Sequence, residues 1–185
     1  MKKLIFLVLM LIGFAFGTQA QHSQHFSKNA IGLRIGDNDG FGAELSYQRG
    51  ISPANRLEFD LGIRNHTYYK HGDYYDSGAV KLVGLYQWVW NIDRGFNWYA
   101  GFGAGLGSYR NNINRDYYDN NYKGYHDSGA FGLVAGDIGI EYDFDFPLQL
   151  SVDFRPELGF GNYRYTNQNL DTFGPDIALG ARFRF

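Results

Sequence analysis

Tyr99-Ala-Gly-Phe-Gly-Ala-Gly-Leu-Gly107, YAGFGAGLG in one-letter code, places glycine at 101, 103, 105 and 107 and a residue with a side chain at each position between. A dinucleotide-binding loop needs G-x-G-x-x-G, preceded by a strand and followed by a helix. This stretch reads G-x-G-x-G-x-G and continues without a helical pattern. A period of two belongs to a strand. Ala100, Phe102, Ala104 and Leu106 then share one face, and Gly101, Gly103, Gly105 and Gly107 form a stripe without side chains on the other.

The same alternation runs in both directions from this stretch. Upstream, AIGLRIG opposes Ile31, Leu33 and Ile35 to Gly32, Arg34 and Gly36. FGAELSYQ opposes Phe41, Ala43, Leu45 and Tyr47 to Gly42, Glu44, Ser46 and Gln48, and RLEFDLGIR opposes Leu57, Phe59, Leu61 and Ile63 to Glu58, Asp60, Gly62 and Arg64. AVKLVGLYQWVW is apolar on both faces, with Lys81 and Gln87 marking the polar parity and Val80, Leu82, Tyr86, Trp88 and Trp90 the apolar one. Downstream, LQLSVDFRPEL and DIALGARFRF alternate as cleanly. A helix would scatter these charges around its circumference, whereas a strand collects them on one side.

AFGLVAGDIGIEY is less regular. Asp76-Ser-Gly-Ala79 matches Asp127-Ser-Gly-Ala130, a weak internal repeat that would make Phe131 and Leu133 equivalent to the apolar-face Val80 and Leu82. That parity puts Asp137 on the apolar face, so a β-bulge is expected near Ala135 and Gly136. Eight strands result. Connections at 50–55, 91–96 and 143–146 are short, those at 66–78, 109–129 and 160–173 are long and polar, and Asp37 to Gly40 is a tight turn on the long-loop side.

The chain opens with Met1, Lys2 and Lys3, an apolar run from Leu4 to Phe16, and the small-residue stretch Gly17-Thr-Gln-Ala20, the order of a secretory signal peptide. Residues 1–20 are therefore read as a cleaved signal, 21–28 as a flexible tail containing His22 and His25, and 29–185 as one barrel domain. Setting Lys2 and Lys3 aside from the 17 Lys and Arg leaves 15 against 19 Asp and Glu, a net of −4 that gives nucleic-acid binding no support. The chain has no cysteine, which excludes disulfides and thiolate metal sites. Aromatic content of 18%, 25 glycines and only 4 prolines agree with many strands.

Eight antiparallel strands with one charged face allow a lipocalin-like barrel, apolar inside, or an outer-membrane barrel, apolar outside. Three features favour the second. Trp88, Trp90 and Trp98 flank one short turn, as an aromatic girdle at a membrane interface does. The final strand places Ile177, Leu179, Ala181, Phe183 and Phe185 on one face and ends on an aromatic residue. Tyrosines gather on the long-loop side, and long outer loops with short inner turns are the asymmetry of such barrels. With the strands YAGFGAGLG, LSVDFRPELG and ALGARFRF, the chain resembles the small eight-stranded outer-membrane barrels of the OmpA and OmpX type, and in texture the generic outer-membrane β-barrel domain family common in Bacteroidota. The resemblance implies an all-β, up-and-down transmembrane barrel in the cell outer membrane, in contact with lipopolysaccharide and inserted by the barrel-assembly machinery through its C-terminal strand. It carries no catalytic signature and no cofactor.

The parity assignment directs Arg34, Arg64, Lys81, Arg155, Arg182 and Arg184 inward, together with Glu44, Glu58, Asp60, Asp137, Glu141, Asp153, Glu157 and Asp176. An eight-stranded barrel is just wide enough for side chains to fill it. A plugged lumen of ion pairs and hydrogen bonds is expected, with a narrow gated channel as the alternative. Arginines or tyrosines are expected over the glycine stripe, which leaves room for them and permits the bending a narrow barrel needs. Trp88, Trp90, Trp98 and Phe185 form the expected periplasmic girdle.

Other motifs carry less. Asp37-Asn-Asp-Gly40 has the opening of a calcium loop without its downstream glutamate and reads as a hairpin turn. His66 and His71 lie in one long loop, and His126 in another beside Asp127 and Ser128, which leaves a lipid A deacylase-like hydrolase as an alternative although its motif is not matched. Tyr68, Tyr69, Tyr74, Tyr75, Tyr117, Tyr118, Tyr122 and Tyr125, set among Asn, Asp and Gly, have a composition suited to recognising an extracellular glycan or protein. They equally suit an outer aromatic girdle. The resulting expectation is a non-enzymatic outer-membrane barrel with recognition loops; the alternatives are the lipid A-modifying enzyme, the gated channel and a soluble periplasmic barrel for an apolar ligand.

Overall fold

Alternating side chains commit each segment to an extended backbone, and the computed structural model, which describes residues 28–36, 41–70, 73–115, 125–161 and 173–185, joins those segments edge to edge. The strands are β1 (Asn29–Ile35), β2 (Ala43–Ser52), β3 (Asn55–Lys70), β4 (Asp73–Asp93), β5 (Phe96–Arg115), β6 (Tyr125–Asp143), β7 (Leu148–Gly161) and β8 (Phe173–Arg184). Each pairs antiparallel with its sequence neighbours, and β8 pairs with β1 to close the barrel. Reciprocal backbone hydrogen bonds between Asn29 and Phe185, at 3.0 and 2.9 Å, complete the seam. Closure leaves no free edge along the paired length, which removes the main liability of an all-β chain.

Polarity is inverted relative to a soluble barrel. Leu33, Leu45, Phe102, Leu106, Ile138, Leu179 and Phe183 point outward and are exposed, Leu106 to 69%, while Arg34, Lys81, Arg155 and Arg182 are buried to within 1%. Along β4 the outward apolar positions run from Val80 to Trp90, about 33 Å of strand at about 3.3 Å per residue. At a tilt of about 40° this is about 25 Å along the axis, the height of the apolar band of an outer-membrane barrel. Trp90 and Trp98 stack at 4.2 Å beside the β4–β5 turn, Trp88 packs against Tyr86 and Phe102, and Phe183 against Phe185. Trp90, Trp98, Phe183 and Phe185 lie at the end that carries the short turns.

Four sequence readings are corrected. Two of the long connections are largely strand where they are described: β3 and β4 stay paired to Lys70↔Asp73, and β5 pairs β6 out to Ile113↔Tyr125, while most of 160–173 lies outside the described residues. Backbone pairing propagates as long as the strands remain adjacent, whatever the polarity of the side chains. With 21 residues in β4 and 20 in β5, against about 9–11 needed to cross a bilayer, a four-stranded sheet projects beyond the barrel at the loop end. Tyr68, Tyr69, Tyr74, Tyr75 and Tyr125 lie in these strands rather than in loops, whereas Tyr117, Tyr118 and Tyr122 lie outside the described residues.

The β-bulge near Ala135 and Gly136 is absent. The registers of β6 with β5 and with β7 are unshifted on both sides of it, and the irregularities recorded lie at Gly50/Ser52 and Asn91/Asp93, beside short turns. Phe131 and Leu133 simply point into the lumen, 4% and 2% exposed, on the same face as Asp137 and Glu141. The repeat therefore has opposite orientation in its two copies: Ala79 is inward and Ala130 outward.

Phe41 does not share the outward face of Ala43 and Leu45. It precedes β2, and Gly42, at a φ of +71° that favours glycine, turns the backbone so that the ring enters the lumen, 5% exposed. Finally, the side chains among the atoms nearest the glycine stripe are neither arginines nor tyrosines. The nearest side chains are Gln87 at Gly101, Val83 and Leu133 at Gly105, and Phe131 at Gly107, all from the flanking strands. Tyrosines do lie over glycines, but over those of β6: Tyr99 over Gly139 and Tyr109 over Gly129. The readings of residues 1–27, of Asp37–Gly40 and of His71 lie outside the described residues.

Candidate functional site

The lumen concentrates the charged residues of all strands but β5 into one network. At its centre the Arg155 guanidinium on β7 donates to Asp60 Oδ2 at 2.6 Å and to Glu58 Oε1 at 3.1 Å, and lies 3.6 Å from Glu44 and 4.0 Å from Asp137. Arg34 on β1 joins three other strands, donating to Asp153 at 2.6 Å, Asp176 at 2.7 Å and Glu44 at 2.9 Å. Lys81 on β4 bridges Glu44 and Glu157, each at 3.1 Å. Arg182 on β8 reaches Glu58 at 3.1 Å and the hydroxyls of Ser46 and Ser151 at 2.9 Å. Guanidinium groups suit these positions because their fork of donors engages several carboxylates in fixed directions.

Toward the turn end the network passes through amides. Arg56 pairs with Glu141 at 2.6 Å and donates to Gln87 Oε1 at 2.5 Å. Gln87 in turn donates to Glu58 at 3.2 Å and to Asp137, and Gln48 donates to Glu58 at 2.6 Å. Asn97, Gln149 and Arg184 gather around Asp143 at 3.3, 3.2 and 3.5 Å. Toward the loop end it stops at an aromatic ring: Lys81 Nζ lies 4.7 Å and Arg64 Cζ 5.5 Å from the centroid of Phe41.

One wall of the lumen is apolar. Phe41, Ala79, Val83, Leu85, Tyr109, Phe131, Leu133 and Ala135 form a buried cluster, mostly on β4 and β6, flanking the stripe of β5. Most of the charges face it from β1, β2, β3, β7 and β8, while Lys81 on β4 and Asp137 and Glu141 on β6 border it. Ionic parity picks out the charged members; it passes over Ser46, Gln48, Arg56, Asn97, Asp143, Gln149 and Ser151, which the same parity would have found had uncharged and strand-end residues been included. The two-faced apolar run AVKLVGLYQWVW was the signal for the inner wall.

At the loop end, His126 Nδ1 is 2.9 Å from Asn112 Oδ1, and the cross-strand pair Thr67–Asp76 is joined at 3.2 Å. Asp127 has the inward parity and His126 and Ser128 the outward one, so the strand directs Asp127 away from the imidazole. His66 is placed on β3 opposite Ser77. Among the described residues no group of His, Asp or Glu is arranged to hold a metal ion.

No family model and no curated protein matches the chain. Solved structures do. A major outer membrane protein from Thermus thermophilus aligns at 14% identity with a TM-score of 0.66, over 87% of this chain and all of the other. Ail, the attachment invasion locus protein of Yersinia pestis, aligns at 15% identity and a TM-score of 0.51, over 86% of this chain and 97% of its own. Neisserial surface protein A aligns at 13% identity and 0.51, over 85% and 93%. The fold is therefore one shared with small outer-membrane barrels.

Proposed function

We propose that this chain is an integral outer-membrane barrel, exported by residues 1–20, without enzymatic activity, whose projecting loop-end sheet recognises an extracellular glycan or protein. The observation that carries the membrane reading is the inversion of polarity: an apolar band about 25 Å high outside and an ion-pair network buried inside. A soluble barrel with this surface would expose a contiguous apolar belt far above the few hundred Å² tolerated by monomers. The stacked Trp90 and Trp98 at the turn end and the outward Phe183 and Phe185 of β8 support contact with lipid and with the assembly machinery. Kinship with the Bacteroidota barrel family rests on strand texture alone.

The recognition role rests on the excess length of β3–β6 and on the tyrosines that their sequence carries there. Tyrosine supplies contact area at low entropic cost, which suits a sheet face held rigid by its neighbours. Fractionation tests the first part: the protein belongs in the detergent-extracted membrane fraction with heat-modifiable gel migration, and recovery in the soluble periplasm would overturn it. For the second, cells displaying the protein should bind a panel of host glycans or matrix proteins, and Tyr69→Ser combined with Tyr74→Ser, directly paired positions of one face, should abolish that binding while leaving folding intact. Altered acylation of lipid A in cells making the protein would reject the non-enzymatic reading.

A further inference from the structure

A cavity of about 20 Å³ opens at the turn end of the lumen. Its floor is Gln48, Arg56 and Gln149, each at most 5% exposed, and its rim includes Asp143 and Arg184. Three polar atoms here, Arg56 Nη2, Gln149 Oε1 and Arg184 Nε, have no hydrogen-bond partner among the described residues. Their charges are already balanced, Arg56 by Glu141 at 2.6 Å and Arg184 by Asp143 at 3.5 Å, so the cavity suits a neutral occupant that both donates and accepts. The cavity is open to solvent and exceeds the minimum of about 10–15 Å³ and two to four polar partners that a water needs.

The opposite end is built differently. Phe41 lies across the inward face of Gly62, where a Cβ would come within 2.9 Å of its ring, and packs with Ala79, Tyr109 and Phe131 above Lys81. All four are 4–5% exposed, and Lys81 is fully buried beneath them. The packing is apolar where the turn end is polar.

We infer that the lumen is a blind vestibule: water and small neutral solutes enter from the turn end as far as Arg56 and Gln149, and Phe41 seals the loop end. The two halves rest on separate observations, the partnerless polar atoms of the cavity and the inward turn of Phe41 at Gly42. The inference concerns the barrel interior and stands whether or not the membrane and recognition readings hold.

The absence of native cysteine gives a clean background for thiol labelling. Gln149→Cys and Ala79→Cys are refolded in detergent micelles, checked for heat-modifiable migration, and alkylated with iodoacetamide, in which the thiolate sulfur displaces iodide; intact mass reports the rate. Gln149→Cys should label at least tenfold faster than Ala79→Cys. Adding Phe41→Ala should raise the Ala79→Cys rate at least tenfold and leave Gln149→Cys unchanged; if that variant does not fold, Phe41→Leu should raise it at least threefold. An unreactive Gln149→Cys would overturn the vestibule, and an Ala79→Cys rate indifferent to residue 41 would overturn the seal.

Discussion

Arg155 on β7 and Asp60 on β3 meet across the barrel interior at 2.6 Å, with both side chains fully withdrawn from solvent. Neither charge has water to turn to, so Asp60 depends on the Arg155 guanidinium, and Arg155 on Asp60 and the other carboxylates around it. Replacing Arg155 by Met should leave Asp60 without its guanidinium partner, strip one cation from Glu58, which keeps Arg182, and cost about 3–5 kcal/mol. Urea titration of the refolded protein, followed by tryptophan fluorescence, measures this. Adding Asp60→Asn to Arg155→Met should recover part of the loss, because it removes the stranded charge; a double variant no more stable than the single one would argue against direct coupling.

The glycine stripe is sensitive at one position above others. A Cβ at Gly103 would run into the Gly84 carbonyl oxygen of the neighbouring strand, whereas at outward Gly132 the nearest atom is 3.9 Å away. Gly103→Leu should prevent folding and abolish the heat-dependent gel shift. Gly132→Ala should change stability by about 0.5 kcal/mol or less. Equal tolerance at the two positions would show that the close approach of β4 and β5 is not required.

Ala104, exposed on β5 and paired with Gly84 near the middle of the apolar band, distinguishes a lipid face from a solvent face. In lipid vesicles Ala104→Arg should cost about 2–4 kcal/mol, the cost of a lipid-facing charge near the bilayer midplane. On a water-exposed surface the same change would fall within about 0.5 kcal/mol. Equilibrium unfolding from vesicles reads the difference, and a near-zero value would count against the membrane reading.

The side-chain-filled lumen should not conduct. Arg155, Arg34 and Lys81 join opposite walls through carboxylates at 2.6–3.6 Å, and Phe41 covers the loop end. Planar-bilayer recordings of the refolded protein should show no steady conductance, and a long-lived open state would contradict the packing described.

Much of the barrel was legible before any tertiary contact was known, and the reasons differ by strand. In β1, β3, β7 and β8, charge and apolarity alternate residue by residue, so Arg34, Glu58, Asp60, Asp153, Arg155 and Arg182 could be assigned to one face from local pattern alone. In β4 and β6 both faces are apolar over part of their length, and the pattern loses its polarity label. That is where the reading of β6 introduced a bulge the molecule does not contain. Phe41 was misplaced for a different reason: parity holds only while the backbone stays extended, and the positive φ of Gly42 interrupts it.

Period-two chemistry thus dictates that this chain makes strands, how many, and which side of most of them excludes charge. It cannot say which carboxylate meets which guanidinium, because that depends on strands up to 142 residues apart being brought around a closed circle, as Arg34 and Asp176 are. Closure also decides how the interior is shared. The stripe of Gly101 to Gly107 lets β4 approach closely and admits Val83, Leu133 and Phe131 from the neighbouring strands, where the local pattern suggested arginines or tyrosines. The physical reason is steric: what fills the room above a glycine is set by the strands beside it, and their identity is a property of the fold.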